Sequence, residues 1–346
     1  MSTQIETGPA PGVLMAPDPG SRSLDYGSAM SEAFQQLMEW DPTMVVIGQG
    51  LYSPWYVGNS MMGLEQRFGS QRVIDCPVSE SATTGVAIGA ALAGVRAVMV
   101  HPRMDFMVYA TDPIYNQAAK AHYMFGGQVN VPVVIRGIIN RGNEQAAQHA
   151  QALQSIYMHM PGLKVVMPAT PYDAKGLLAA SVLDENPVIF IDDRWLYSLT
   201  AAVPEELYTV PLGRGAVRRV GSDVTVVATS YMTVEALEAA EILSADGIDV
   251  EVIDPRTLKP LDTDLICSSV ARTGRLVAAD AAFPICGAAS EIAALVAEHA
   301  FFALKAPIQR VTLPDAPAPC STSLEQVYFP TEADIVAAVR RCLLLP

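Results

Sequence analysis

Short apolar segments that alternate with helical patterns constrain this chain of 346 residues more than any other feature. From residue 26 onward, runs such as TMVVIG and VPVVIRG are separated by amphipathic or small-residue stretches. Buried strands of a parallel sheet show this pattern, because the helices that connect them cover both faces of the sheet. The sequence therefore predicts an α/β fold built on doubly wound parallel sheets.

The alternation is interrupted once, which predicts two domains. Residues 197–215 lose the periodicity and contain prolines, as is typical of a linker. We therefore predict a parallel-sheet α/β domain over 25–196, a linker over 197–215 and a smaller α/β domain over 216–346. The Pro- and Gly-rich residues 1–24 are predicted to form a flexible N-terminal arm.

Charge and cysteine content exclude several classes of protein. Lys plus Arg is 22 and Asp plus Glu is 36, a formal net charge of −14, which argues against nucleic acid or an anionic membrane surface as a partner. The uncharged helical stretch 81–95 is too short for a bilayer span, so no membrane partner is expected. Five cysteines without a C-x-x-C pair indicate neither a disulfide framework nor a zinc site, and we expect a reducing, cytoplasmic location.

Glu80 is the clearest candidate for a functional residue in the sequence. Parallel α/β proteins bind ligands at the carboxyl ends of strands, and Glu80 lies between a predicted strand over 72–75 and a predicted small-residue helix over 81–94. A carboxylate in such surroundings could share a proton with a ligand nitrogen. An acid in the first turn of a helix could equally serve only to complement the helix dipole.

Several long motifs occur in an order that one known family shares. They are RVIDCPVSE, GVAIGAALAGVRAV, DFMVYATDPIYNQAAK, AAQHAQ and PGLKVVMPATPYDAKGLL, followed by IDPRTLKPLD, TGRLVAAD and LEQVYFP. The chain thereby resembles, over nearly its whole length, the β subunit of the thiamine-diphosphate-dependent 2-oxo acid dehydrogenases, such as pyruvate dehydrogenase, and more broadly the transketolase family. The resemblance implies a pyrimidine-binding α/β domain and a smaller transketolase C-terminal-like domain.

The resemblance also assigns roles to three residues. Glu80 matches the family glutamate that hydrogen-bonds the aminopyrimidine ring and promotes the tautomer that activates thiamine diphosphate. Phe106 matches the aromatic side chain that stacks on the pyrimidine, with an ordinary core phenylalanine as the alternative. His149 matches the family histidine that faces the reacting end of the cofactor and binds or protonates substrate and acceptor, with a solvated loop histidine as the alternative. Glu80 and His149 are thus the expected catalytic residues.

Two residues depart from the family pattern. Gln49 stands where the usual β subunit has an acid that points toward the cofactor, and an amide can hydrogen-bond there but cannot carry the proton as an acid. We expect Gln49 to contact the cofactor. Arg103 adds a guanidinium that could bind a carboxylate or phosphate of the substrate, and a surface ion pair is the alternative.

The chain holds only half of the active site that the resemblance implies. The family builds its diphosphate and magnesium site from a Gly-Asp-Gly motif and a later asparagine, and this sequence contains no Gly-Asp-Gly. A separate α subunit that carries this domain and its magnesium is therefore expected, in an α2β2 heterotetramer. Some relatives hold a monovalent cation, which suggests potassium near Ser181, Asp184 and Asn186, although a plain helix-to-strand turn explains these residues as well.

Three functions remain open on the sequence. The first is a subunit that helps to decarboxylate a 2-oxo acid and passes the acyl group to a lipoyl acyltransferase, as the first component of a 2-oxo acid dehydrogenase. The second is a transketolase-like or acyloin-forming carboligase that transfers the two-carbon or acyl unit to an aldehyde, an alternative kept open by Gln49 and Arg103. The third is a non-catalytic homologue, against which the joint presence of Glu80, Phe106 and His149 speaks.

Overall fold

The computed structural model describes residues 6–7 and 22–344. The predicted arm over 1–24 thus lies almost entirely outside the described residues. The described chain divides into two compact units, the first containing residues 22–141 and 156–212 and the second residues 142–155 and 213–344. None of the described helices is long and apolar enough to cross a membrane.

The first unit is built on a parallel sheet. Within this unit the strand order is Lys164–Val166, Val188–Asp193, Val133–Ile139, Ala97–His101, Val45–Gly48 and Val73–Asp75. The strands are rich in valine and isoleucine, and the long strand in the middle is buried at every residue, because helices cover both faces of the sheet.

The helices of the first unit follow the predicted alternation. The first begins at Tyr26, directly after Asp25, whose carboxylate accepts a hydrogen bond from the backbone N of Ser28 at 2.7 Å and so caps the helix. Residues 113–124 form a π-helical segment followed by a short α-helix. The helices are Tyr26–Trp40, Pro54–Val57, Leu64–Phe68, Glu80–Leu92, Met104–Met107, Val108–Ala110 (3-10), Pro113–Ala118 (π), Ala119–Met124, Pro171–Leu183 and Arg194–Leu196 (3-10), and Gln154–His159 lies at the boundary between the units.

Residues 197–215, predicted as a linker, are mostly folded. Thr200–Ala202 pairs antiparallel with Ser23–Asp25, and Tyr208–Thr209 pairs parallel with Glu6–Thr7. Val203, Tyr208 and Val210 are only 2–3% exposed, so this segment contributes apolar side chains to the first unit. The first unit therefore extends to residue 212 and does not end at 196.

The second unit is also an α/β structure. Its strand order is Ala216–Arg219, Val250–Asp254, Val224–Ala228, Leu276–Asp280 and Gln309–Thr312, parallel except for the first strand, which is antiparallel at the edge. Two apolar clusters form its core. The remaining elements are the strand Thr257–Lys259 and the helices Met232–Ala245, Thr263–Thr273, Ala288–His299, Phe301–Ala303 (3-10), Thr322–Tyr328 and Glu332–Leu344. Parallel sheets with helical connections in both units confirm the predicted fold class.

Candidate active site

Three neighbouring strands of the first unit end at the same edge of its sheet. The strand that ends at Gly48 lies between the strands that end at Asp75 and at His101, and all three are parallel. The carbonyl of Gly48 accepts a hydrogen bond from the backbone N of Cys76 at 2.8 Å, so pairing continues to the last residue. The segments that follow these strands therefore leave the sheet side by side, at the edge where parallel α/β proteins bind ligands.

Glu80 lies at this edge as the first residue of the helix Glu80–Leu92, and its side chain is partly buried. The backbone N and the hydroxyl of Thr83 both donate to the carbonyl of Ser79 at 2.9 Å, which fixes the start of the helix. The carboxylate thus lies at the positive end of the helix dipole. Both predicted roles, proton sharing with a ligand and dipole complementation, use this position.

Gln49 follows the central strand of the three and carries a buried, unsatisfied amide. It is 9% exposed, and among the described residues its Nε2 has no hydrogen-bond acceptor. Gly50 has a φ of 63°, and a Cβ there would lie 2.5 Å from the ring of Tyr56, so this turn requires glycine. A buried polar group without a partner costs about 1–3 kcal/mol, a cost that an acceptor on a ligand removes. Gln49 is therefore suited to donate to a ligand at this edge.

A buried histidine connects the helix of Glu80 to the neighbouring strand. Nε2 of His101 lies 3.1 Å from Oγ1 of Thr84, and both side chains are at most 1% exposed. Burial lowers the pKa of His101 to about 4, so the ring is neutral near pH 7. In the sequence, the signal for a role of His101 in shaping the site is its position two residues before Arg103.

Arg103 and Phe106 follow the third strand. Arg103 is 7% exposed, which excludes the surface ion pair, and its Nη1 donates to the carbonyl of Pro102 at 2.8 Å. Burial and the nearby guanidinium of Arg194 lower the pKa of Arg103. The carboxylate of Asp105 acts in the opposite sense and raises this pKa, and a guanidinium at this edge can also bind an anionic group of a ligand. Phe106 is partly buried on the helix Met104–Met107, so its ring is neither fully in the core nor fully in solvent.

His149 belongs to the second unit, whereas the other predicted site residues lie in the first. It is partly buried, and its backbone N donates to the carbonyl of Ala146 at 3.4 Å. Asn143, Glu144 and Ala146 have φ values of 53°, 58° and 57°, in the left-handed region that side chains rarely adopt. Such clusters of strained residues are typical of functional loops.

The predicted cation site near Ser181 contains an arginine side chain. Nη1 of Arg96 donates to the carbonyls of Val182 and Asp184 at 2.8 and 3.3 Å. The hydroxyl of Ser181 donates to a carbonyl of its own helix, and Oδ1 of Asp184 accepts from the backbone N of Asn186 at 2.9 Å. These four oxygens already have partners, whereas Oδ1 of Asn186 is buried without one among the described residues, and the potassium site stays a prediction.

The helix that begins at Glu80 exposes an uncharged face. Val86 is 62% exposed and Leu92 is 44% exposed. A Cβ added at Gly85 or Gly89 would meet no described atom within 4 Å. Glycine within a helix costs about 1 kcal/mol of stability relative to alanine. Packing within the described chain does not require glycine at these two positions. Close approach of another polypeptide would account for them.

Two family models match the chain in succession. The model of the transketolase pyrimidine-binding domain covers residues 22–199, and that of the transketolase C-terminal domain covers residues 213–335. The chain belongs to the transketolase family. Within the family, the chain is similar to β subunits: the β subunit of acetoin:2,6-dichlorophenolindophenol oxidoreductase from Cupriavidus necator is 44% identical over 93% of this chain and 98% of the relative.

Other relatives agree with this assignment to the family. The pyruvate dehydrogenase E1 component subunit β of Rickettsia felis is 41% identical over 90% of this chain and 96% of the relative. A solved structure described as a split-gene transketolase, an inactive β4 tetramer, has a TM-score of 0.71 and 27% identity over 92% of this chain and 97% of that chain. The predicted resemblance is confirmed: the relatives are β subunits of acetoin oxidoreductases and of the pyruvate dehydrogenase E1 component.

Proposed function

We propose that this chain is the β subunit of a two-subunit, thiamine-diphosphate-dependent enzyme that cleaves the carbon–carbon bond next to the carbonyl group of a small 2-oxo acid. The observation that carries the proposal is the placement of Glu80, Gln49 and Phe106 after three adjacent parallel strands, at the ligand-binding edge of the sheet. The similarity to E1 β subunits supports it.

The residues at this edge fit the pyrimidine half of thiamine diphosphate. When bound, the cofactor supplies a carbanion that adds to a carbonyl carbon. Glu80 would hold and move the proton at the pyrimidine ring nitrogen, and Phe106 would stack on the flat ring. The unsatisfied Nε2 of Gln49 supplies a donor for a cofactor or substrate acceptor. His149 would bind or protonate the substrate and the acyl acceptor.

The missing half of the site is assigned to an α subunit, in an α2β2 assembly. The sequence contains no Gly-Asp-Gly, so we propose that magnesium and the diphosphate are held by the partner. The exposed Val86 between Gly85 and Gly89 supports a tight subunit contact on the same helix that carries Glu80. The similar solved structure, described as a β4 tetramer, supports subunit association by a chain of this fold.

The proposed donor is an anionic 2-oxo acid, with the acyl group passing to a lipoyl acyltransferase. The buried Arg103 supports this choice, because a guanidinium recognises a carboxylate. Acetoin is the second candidate donor, since β subunits of acetoin oxidoreductases are 44% and 41% identical to this chain. Acetoin has no carboxylate to bind Arg103.

Five free cysteines support a reducing cytoplasm as the location.

The test is reconstitution with an α subunit that carries the Gly-Asp-Gly domain. The purified pair is assayed with thiamine diphosphate and magnesium for dichlorophenolindophenol reduction, with pyruvate, a branched 2-oxo acid and acetoin as donors. Cofactor-dependent turnover of a 2-oxo acid is expected, and lipoyl-dependent acyl transfer separates the dehydrogenase from a carboligase. Full activity of the β chain alone, or turnover only into carbon–carbon ligation products, would overturn the proposal as stated.

A further inference from the structure

The loop that carries His149 begins with a strained segment. Asn143, Glu144 and Ala146 all have positive φ, and two of them are not the Asn or Gly residues that tolerate this conformation. Strained backbone persists only where surrounding contacts hold it. The contacts that hold this segment therefore decide the conformation of the loop around His149.

The contacts that hold Glu144 come from residues 320–325, which belong to the same unit. Both carboxylate oxygens of Glu325 accept from the backbone N of Glu144, at 3.0 and 3.2 Å. The hydroxyl of Thr322 donates to Oε1 of Glu144 at 2.8 Å, and Sγ of Cys320 lies 3.7 Å from its carbonyl oxygen. The backbone N, the carbonyl and the side chain of one strained residue are thus all engaged by one short segment.

The Glu325 carboxylate is costly where it lies. It is 6% exposed, and in the part of the chain that the structure describes its donor is the backbone of Glu144 and not an arginine or lysine. Burying a carboxylate without a cationic partner is unfavourable, and an apolar side chain would pack a helix face at lower cost. Glu325 lies in the first turn of the helix Thr322–Tyr328, where an acid complements the helix dipole, and its described contact to another segment is with the backbone of Glu144.

The C-terminal end of the loop, at Gln154, is also held by hydrogen bonds. The buried side chain of Gln154 donates from Nε2 to Oδ1 of Asp280 at 2.7 Å. Asp280 also accepts from the hydroxyl of Thr229 at 2.8 Å and from the backbone N of Ala288 at 3.1 Å, so it is itself fixed. His149 therefore lies between two anchored ends, of which only the Glu325 end carries strain.

We propose that Glu325 is a positioning residue for His149: its carboxylate holds Glu144 in the left-handed conformation and thereby fixes the loop that presents the imidazole. The role of His149 in the reaction rests on the proposed function, whereas the anchoring of the loop does not. Glu325 acts through Glu144 and need not touch the substrate.

The test compares variants in the assembled complex with the α subunit. Glu325→Ala removes both acceptor oxygens, Glu325→Gln keeps one, and Thr322→Val removes only the contact to the Glu144 side chain. Glu251→Gln is the control, because Glu251 is a buried acid of the same unit that binds Arg272 and contacts none of residues 142–149. Hydrogen exchange of residues 142–149 and the pH profile of turnover are measured for each variant.

Glu325→Ala is expected to increase exchange in residues 142–149 at least tenfold, and to reduce acyl transfer by about 10- to 100-fold, since misplacement by an ångström costs about that much. Its pH profile should approach that of His149→Ala, and Glu325→Gln should restore most of the protection and rate. Glu251→Gln should leave loop exchange unchanged. Unchanged exchange in Glu325→Ala would overturn the inference; a wild-type complex without cofactor-dependent turnover would overturn the proposed function and leave the exchange result valid.

Discussion

Nε2 of His101 lies 3.1 Å from Oγ1 of Thr84, and this buried contact links the two segments that deliver Glu80 and Arg103 to the edge of the sheet. Thr84 lies one helical turn after Glu80, and His101 ends the strand that leads to Arg103. A shift of either segment must break or stretch this hydrogen bond. The hydrogen bond between His101 and Thr84, which involves no charged group, thus helps to fix the spacing between Glu80 and Arg103.

Stability is expected to fall as the solution is acidified because of His101. Its pKa is about 4 in the folded chain and 6.5 for an ordinary histidine, so between these values the unfolded chain binds a proton that the folded chain does not. The free energy of unfolding should therefore decrease from pH 6.5 toward pH 4, by about 3 kcal/mol in all. Unfolding midpoints measured across this range check the prediction.

His101→Asn should flatten that part of the pH dependence. Thr84→Val is the control: it removes the hydrogen-bond partner, costs about 1–3 kcal/mol at every pH, and keeps the titrating ring. An unchanged pH dependence in His101→Asn would show that another group is responsible.

Glu80→Gln should reduce turnover of the reconstituted enzyme by about 10²- to 10⁴-fold, because an amide cannot exchange a proton with the pyrimidine ring. Titration calorimetry should show that thiamine diphosphate and the α subunit still bind. The exposed Asp112→Asn variant serves as a matched loss of charge in the same unit and should retain turnover within about twofold. Normal turnover in Glu80→Gln would leave Glu80 with the helix-dipole role alone.

Gly89→Ala should separate the stability of the chain from its assembly. The added Cβ meets no described atom within 4 Å, so the free energy of unfolding of the chain alone should rise by about 0.5–1 kcal/mol. Affinity for the α subunit should fall, because the methyl group blocks close approach. Gly94→Ala is the control with the opposite sign for stability, since Gly94 has a φ of 91°. Sedimentation velocity and thermal unfolding measure the two effects.

Arg103→Met should raise the KM for a 2-oxo acid by about 10- to 100-fold, the effect expected when a charge-assisted hydrogen bond is lost. The same change should leave cleavage of acetoin nearly unaffected, because acetoin offers no carboxylate. Steady-state kinetics with both donors decide the matter. A parallel loss with the two donors would indicate a structural role for this buried guanidinium.

Potassium should have little effect on the thermal stability of the wild-type chain, because Arg96 already donates to the carbonyls of Val182 and Asp184. Thermal unfolding in potassium chloride and in tetramethylammonium chloride should agree within error. Arg96→Met frees both carbonyls and should create a dependence on potassium. A strong potassium dependence of the wild-type chain would place the cation elsewhere.

Sequence patterns predict an element well where its ends carry clear signals and its residues favour one secondary structure. The helix Pro171–Leu183 is recognisable in the sequence, because proline begins it and Thr170 caps it. The helix Thr263–Thr273 was missed: its Ser and Thr residues have weak helix propensity, although Asp262 caps it and Gly274 ends it. The two strands within 197–215 form through pairing with distant segments, which local periodicity does not report.

Candidate roles for the site residues could be assigned from the sequence only where family motifs exist. Glu80, Phe106 and His149 come from such motifs, and alternation alone correctly brings Glu80 to the end of a strand. Neither signal could reveal that His101 contacts Thr84 or that Arg96 reaches the turn at Asp184, because both contacts depend on how distant segments pack.

The charge-free flank of the helix that begins at Glu80 has a consequence for the cell. Copies of this chain made in excess of the α subunit would expose an apolar surface, because residues 81–95 contain no charged side chain. Such unpaired copies would aggregate or be degraded. Matched synthesis of the two subunits, as from one messenger RNA, is the arrangement that this surface chemistry favours.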